Sequence, residues 1–209
     1  MASWLILASF MAAAAQPAAP PLAASASAPR LADLPNVEIT DYQVSGDNIR
    51  QIHRSLKAAS PRDPATGKAV PATSSWNVAA GVKWTRTGGR CDIMSVDLRF
   101  SAKANMPRLT VSETTPAPVV AAWNDYVAQL DARQARQLRF AYDRRERVER
   151  AIREAGCLAW EAAAALAIDR IRREQLAAFQ DDLLDQPKLL EPKDSKRERR
   201  VEPSVNTSL

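Results

Sequence analysis

The strongest pattern along the chain is a strict alternation of apolar and other residues in two neighbouring segments. One alternation covers residues 76–84 and begins and ends on tryptophan; the other covers residues 94–102 and begins on Met94. A period of two places each apolar set on one face of a β-strand. Because Gly88 and Gly89 lie between the segments, the pattern predicts an antiparallel hairpin with one buried and one solvent-exposed face.

A strand and a short helix are predicted before the hairpin. Residues 37–44 form the strand, in which Val37 and Ile39 face the same way. Residues 45–48 contain side chains that are favoured at helix starts, so a helix is expected to follow them. The apolar face of this helix consists of Ile49, Ile52 and Leu56.

Apolar residues take helical spacing from Pro116 onward, which predicts two long helices. The first ends near Gly156, and the second runs from about residue 158 to residue 184, before Pro187. The predicted apolar stripe of the first helix consists of Val120, Trp123, Val127, Leu130, Leu138, Val148 and Ile152. The predicted inward residues of the second helix are Leu166, Ile171, Leu176, Phe179 and Leu183.

The order of these elements predicts the α+β class. A small antiparallel sheet of about three strands would pack against two long C-terminal helices, with a short N-terminal helix beside it. We therefore expect a single domain at residues 37–186, preceded by a linker at residues 29–36. Residues 187–209 are rich in charge, which predicts a disordered charged tail.

The first 28 residues are predicted to be a signal peptide. The apolar run of residues 4–15 is shorter than the about 20 residues that span a bilayer, and small residues follow it. The protein would then be exported, either to the periplasm or out of the cell. Because no lysine or arginine precedes the run, an uncleaved anchor and a misplaced start codon are the alternatives.

The net charge and the number of potential metal ligands limit the kinds of binding site that the chain can form. The net charge is +5, but basic and acidic residues are interleaved over most of the chain. This favours a weak contact of the basic tail with an anionic surface over nucleic-acid binding. The single histidine, His53, excludes any site that needs two imidazoles from one chain, and we expect it on the surface of the short helix. No metal and no cofactor are expected.

Several short motifs occur in the order and spacing of a known family. They are Tyr-Gln-Val-Ser-Gly at residues 42–46, Trp-Asn-Val at residues 76–78, Gly-Gly-Arg-Cys at residues 88–91, Pro107, Trp123 with Leu130, and Cys157. This arrangement, over about residues 39–182, resembles a bacterial family of predicted secreted zinc-dependent proteases, also called domain of unknown function 922.

The resemblance implies a zinc site that this sequence cannot build. In the family, the leucine that Leu130 resembles is followed by His-Glu-x-x-His, whose two histidines bind zinc from one helix face while the glutamate acts as general base. Here the first histidine position holds Arg133, the glutamate position holds Gln134 and the second histidine position holds Gln137. Arginine stays protonated, and glutamine has no carboxylate to take a proton, so we predict no catalysis at these positions.

Cys91 and Cys157 resemble the two cysteines of the family, and they are the only cysteines in the chain. In an oxidising compartment they would form one intramolecular disulfide that ties the hairpin to the joint between the two long helices. Two free thiols and an intermolecular bond are the alternatives.

The first long helix is rich in arginine. One interpretation is a face that binds phosphate or lipid. The other is a solvated face with ion pairs one turn apart, such as Arg145 with Glu149 and Arg150 with Glu154. The interleaved acidic residues favour the solvated face.

The sequence therefore favours a non-catalytic relative of the zinc-protease family, acting as an envelope binding or structural protein with a protein or peptide partner. Arg133 and Arg136 would contact an acidic group of that peptide. The alternative is a divergent peptidase that still hydrolyses peptides through unrecognised residues. A nucleic-acid binder would require the export prediction to fail.

Overall fold

A computed structural model of the chain describes residues 28–63 and 67–180, together with Pro187 and Leu189. Most of the predicted signal peptide, Leu183 of the predicted second helix and nearly all of the predicted tail lie outside the described residues. The elements, in chain order, are a 3-10 turn at Leu31–Asp33, β1 (Val37–Ser45), α1 (Ile49–Ala59), β2 (Thr73–Thr87), β3 (Arg90–Thr110), α2 (Ala117–Arg144), α3 (Glu146–Ala155) and α4 (Trp160–Ala178).

Three strands form one sheet in the order β1–β3–β2. β2 pairs antiparallel with β3 through the turn at Gly88 and Gly89, as the alternation predicts. β1 instead runs parallel to β3, with Val37 beside Ala102. The α+β class and the three strands are confirmed, but the sheet is mixed rather than wholly antiparallel. Hydrophobic periodicity carries no information on the direction of a strand that a helix separates from the hairpin.

A β-bulge changes the phase of the hairpin near its turn. The pairing register shifts between Lys83 and Trp84, so that Ile93 lies opposite Trp84. Ile93 therefore packs against the core, whereas Met94, predicted on the buried face, is 67% exposed. β3 also continues past Pro107, which we expected to close the strand.

Helix α1 packs beside β1, and its predicted apolar face is confirmed as buried. The Asn48 side chain caps the helix by accepting a hydrogen bond from the Gln51 backbone N–H at 3.0 Å. Gly46 has a φ of +147°, and a Cβ at this position would lie 2.8 Å from the Ile52 nitrogen. The close approach of the chain to α1 therefore requires glycine here.

The first predicted long helix is divided at Arg145. The Arg145 backbone N–H donates to the Tyr142 carbonyl at 3.2 Å, three residues back instead of four, and its guanidinium donates to the same carbonyl at 2.8 Å. This tight turn ends α2 and lets α3 pack against α4. Most of the predicted stripe is buried, with Val119 and Tyr126 buried in place of Val120 and Val127.

Helix α4 buries a narrow stripe that contains two alanines and two isoleucines. Ala164 and Ile171 are buried, and Ala167 and Ile168 pack against the core. This spacing of three and four residues defines one helix face, and the alanines allow close packing. The predictions that Leu166 and Leu176 point inward are wrong, since they are 69% and 64% exposed.

The predicted disulfide between Cys91 and Cys157 is confirmed, with the two Cα atoms 6.1 Å apart. It joins the turn end of the hairpin to the connection between α3 and α4. Residues 29–36 are not the exposed linker that their composition predicts, because Leu31 and Leu34 are buried in the core. Among the described helices, none is long and apolar enough to cross a membrane.

Candidate functional site

The motif positions of the resembled family lie on the inner side of α2. Leu130 is buried at 1% exposure, and the side chains one turn further along, Arg133 and Gln134, are 6% and 4% exposed. Gln137 is partly buried. Since residues three and four apart lie on the same side of a helix, these positions form one continuous surface that faces the rest of the domain.

The Gln134 amide holds α2 to the start of β2. Its Oε1 accepts a hydrogen bond from the Ser74 hydroxyl at 2.7 Å, and its Nε2 donates to the Ala72 carbonyl at 3.4 Å. A glutamate carboxylate has only acceptors, and it would place an oxygen against the Ala72 carbonyl. Gln134, at the position where the resemblance implies a general base, therefore makes contacts that suit an amide and not a carboxylate.

A second amide connects the same region to α4. The Gln175 Nε2 donates to the backbone carbonyl of Gln137 at 2.7 Å, and the Gln175 Oε1 accepts from the indole N–H of Trp76 at 2.7 Å. One side chain thus joins α4, α2 and β2. Both bonds are partly buried, so they fix the position of the Trp76 ring.

A cavity of about 430 Å³ opens beside this network, between the start of β2, α2 and α4. Its lining residues are Ser74, Ser75, Trp76, Gln137, Arg172, Gln175, Leu176 and Phe179. The Arg172 guanidinium carbon lies 5.4 Å from the centre of the Trp76 ring, within cation–π range. The described part of the lining therefore combines one cation and several neutral polar groups with an apolar wall.

The potential metal ligands are dispersed. Within residues 28–63 and 67–180, no three His, Cys, Asp or Glu side chains come together to hold a metal ion. His53 is exposed on α1, and both cysteines are joined in the disulfide. Arg133, at the position where the resemblance implies the first metal ligand, is buried.

The two arginines predicted to contact a peptide differ in accessibility. Arg133 is 6% exposed, whereas Arg136 is an exposed residue. Arg136 is therefore the one that an incoming ligand reaches more easily, and contact of either arginine with an acidic group stays a prediction.

The arginine-rich surface carries ion pairs. Arg153 donates to Glu149 one turn away at 2.7 Å, so Glu149 pairs with Arg153 and not with Arg145 as expected. Arg147 donates to Glu174 of α4 at 2.7 Å. These exposed pairs fit the interpretation as a solvated face better than the phosphate-binding one.

A larger cavity, of about 660 Å³, lies between β1 and the first half of α2. Burial raises the pKa of the Asp131 carboxyl at its edge, and the Leu31 backbone N–H donates to that carboxyl at 3.3 Å. The other carboxylate, Asp41, pairs with Arg108 at 3.6 Å. The charged groups here are already engaged within the chain, which makes the cavity beside α4 the stronger candidate.

Sequence reasoning missed Ser74, Arg172 and Gln175. In the sequence, the last two are ordinary polar residues of a charged helix, and the helix face that meets β2 was assigned to leucines. One signal was available: a tryptophan on the buried face of a strand needs an acceptor for its indole N–H, and a polar residue of a covering helix can supply it.

Sequence comparison assigns the chain to a family. Residues 39–182, more than half of the chain, match the profile of a family described as bacterial protein of unknown function (DUF922), and the chain belongs to that family. The description names no activity. No curated protein and no solved structure matches the chain.

Proposed function

We propose that this family member is a non-catalytic binding protein of the cell envelope, and that the cavity beside α2 and α4 holds a peptide segment of its partner. The observation that carries the proposal is the role of Gln134. The side chain at the general-base position is buried and bonded to Ser74 and Ala72, so it serves the fold rather than a water molecule.

The charge at the first ligand position supports the same proposal. A buried guanidinium at Arg133 repels a dication, and it cannot lose its proton to become a ligand. Hydrolytic zinc sites need about three protein ligands and one open position. The described residues contain no such group of side chains.

The position of the cavity favours an extended peptide as the ligand. Ser74, Ser75 and Trp76 belong to β2, which is an edge strand of the described sheet. Residues 73–82 of this strand carry no charge. Uncharged edge strands are common places for peptide addition, because backbone groups supply the hydrogen bonds and nearby pockets take side chains.

The disulfide supports location in the envelope. Disulfides persist in the periplasm and outside the cell, and are rare in a reducing cytosol. The bond between Cys91 and Cys157 therefore agrees with the predicted signal peptide.

The proposal predicts that protein recovered from the periplasm contains no stoichiometric zinc and does not cleave casein. Metal analysis, a casein assay with and without chelator, and mass spectrometry of the mature chain would measure this. Stoichiometric zinc with chelator-sensitive cleavage would show instead that the protein is a divergent peptidase. The predicted contact of Arg136 is a separate interaction, because Arg136 is not among the described residues that line the cavity. Arg136→Ala should weaken binding of a peptide that carries acidic residues outside the cavity, whereas Arg139→Ala, on the same helix, should not.

A further inference from the structure

Among the described residues that line the cavity, Arg172 is the only cation and none is a carboxylate. Its neighbours on α4 are paired: Arg173 contacts Asp169, and Glu174 contacts Arg147. Among the described residues, no acidic side chain lies within ion-pair distance of Arg172. The cavity therefore presents an exposed positive charge that a ligand anion would complement.

One cation–π contact orients the guanidinium. Arg172 lies over the Trp76 ring, and that ring is fixed by its bond to Gln175. Stacking on an aromatic ring leaves the donors at the edge of the guanidinium free to bind both oxygens of a carboxylate. A binding group that is already positioned loses little entropy when the ligand arrives.

An apolar surface lies next to this cation. Leu176 is 64% exposed at the cavity, and Phe179 packs edge-on against Phe140 of α2 with the ring centres 5.6 Å apart. A leucine this exposed contributes little to folding. It does provide a contact for an apolar group that enters beside Arg172.

We propose that the cavity binds the C-terminal carboxylate of a peptide whose last residue is apolar. Arg172 donates to both carboxylate oxygens, and the last side chain lies against Leu176 and Phe179. In a peptide C-terminus the carboxylate and the side chain are attached to the same Cα, so both reach one cavity together. A volume of about 430 Å³ suits one or two residues.

This inference rests on the proposed peptide binding and specifies its chemistry. The test is titration calorimetry of the full chain with acetyl-Ala-Ala-Leu as the free acid and as the C-terminal carboxamide. The free acid is expected to bind about tenfold or more tightly than the carboxamide, as for a charge-assisted hydrogen bond. A third probe, acetyl-Ala-Ala-Glu-carboxamide, carries its carboxylate on a side chain and should bind as weakly as the leucine carboxamide.

Two arginine variants distinguish binding in the cavity from a general effect of positive charge. Arg172→Gln should abolish the difference between acid and amide, whereas Arg173→Gln, the adjacent arginine outside the cavity lining, should preserve it. Leu176→Asp changes an exposed residue and should weaken binding of the free acid by a similar factor. Each chain is checked by its thermal melting, so that loss of binding is not confused with loss of fold.

The outcomes are distinguishable. Equal binding of acid and amide would overturn the carboxylate site while leaving peptide binding in place. No binding of any probe would overturn both. Cleavage of the probes would refute the non-catalytic function, and the ratio of acid to amide affinity would still decide the role of Arg172.

Discussion

At the scale of single residues, Gln134 shows how one buried side chain can connect a helix to the segment that enters a strand. Its amide accepts from Ser74 and donates to Ala72, which only a group with both a donor and an acceptor can do. Because Gln134 is only 4% exposed, water cannot easily replace either hydrogen bond. Introducing a carboxylate at this position should therefore destabilise the fold.

We expect Gln134→Glu to lower the free energy of unfolding by about 2–3 kcal/mol at pH 7, because a buried carboxylate loses its donor and its solvation. Burial raises the pKa of the new carboxyl in the folded state. Its protonated form can donate to Ala72, so the loss should shrink as the pH falls from 7 towards about 4, near the usual pKa of glutamate. Urea unfolding at several pH values measures this.

The matched control is Gln129→Glu, the same substitution at an exposed position of α2. It should change stability by less than about 0.5 kcal/mol at every pH. A Gln134→Glu chain as stable as this control would mean that the amide does not hold β2 to α2.

At the scale of elements, α4 packs through a stripe of alanines and isoleucines, and its leucines face outward. Ile171 is 1% exposed, whereas Leu166 is 69% exposed. Ile171→Ala should cost about 2–5 kcal/mol, since it leaves a cavity between α3 and α4. Leu166→Ala should be nearly neutral. Thermal or urea unfolding of both variants compares the two faces, and a larger loss for Leu166→Ala would show that α4 packs by its leucine face.

At the scale of the whole molecule, one disulfide cross-links the sheet to the helical part. Cys91 and Cys157 close a loop of 66 residues. Replacing both by serine is expected to lower the free energy of unfolding by about 2–5 kcal/mol, mainly because the unfolded chain gains freedom. Urea unfolding of the double variant measures this. A loss below about 1 kcal/mol would show that the packing of α3 and α4 suffices to hold the hairpin.

Much of this architecture could be predicted from the sequence. The hairpin, the α1 face and the disulfide followed from alternation, helical spacing and the two cysteines. The parallel direction of β1 and the break at Arg145 did not, because both depend on contacts between distant segments. The bulge near Trp84 was also not predicted, since one extra residue in a strand does not change the composition.

For the candidate site, the resemblance located three positions on α2 but not the residues that complete the cavity. Arg133, Gln134 and Gln137 could be located from the resembled motif. The cavity is completed by Arg172 and Gln175, about 40 residues further along, and only the fold of α4 against β2 brings them there. Local sequence patterns do not predict contacts between side chains that are so far apart in the chain.

The length of β2 also has a spectroscopic consequence. Of the five tryptophans, Trp84 near the hairpin tip is 53% exposed, while Trp76 lies in the cavity wall, roughly 25 Å away along β2. Their fluorescence should therefore respond to different events. A soluble quencher such as iodide reaches the indole at the hairpin tip, and a ligand in the cavity alters the emission of the other.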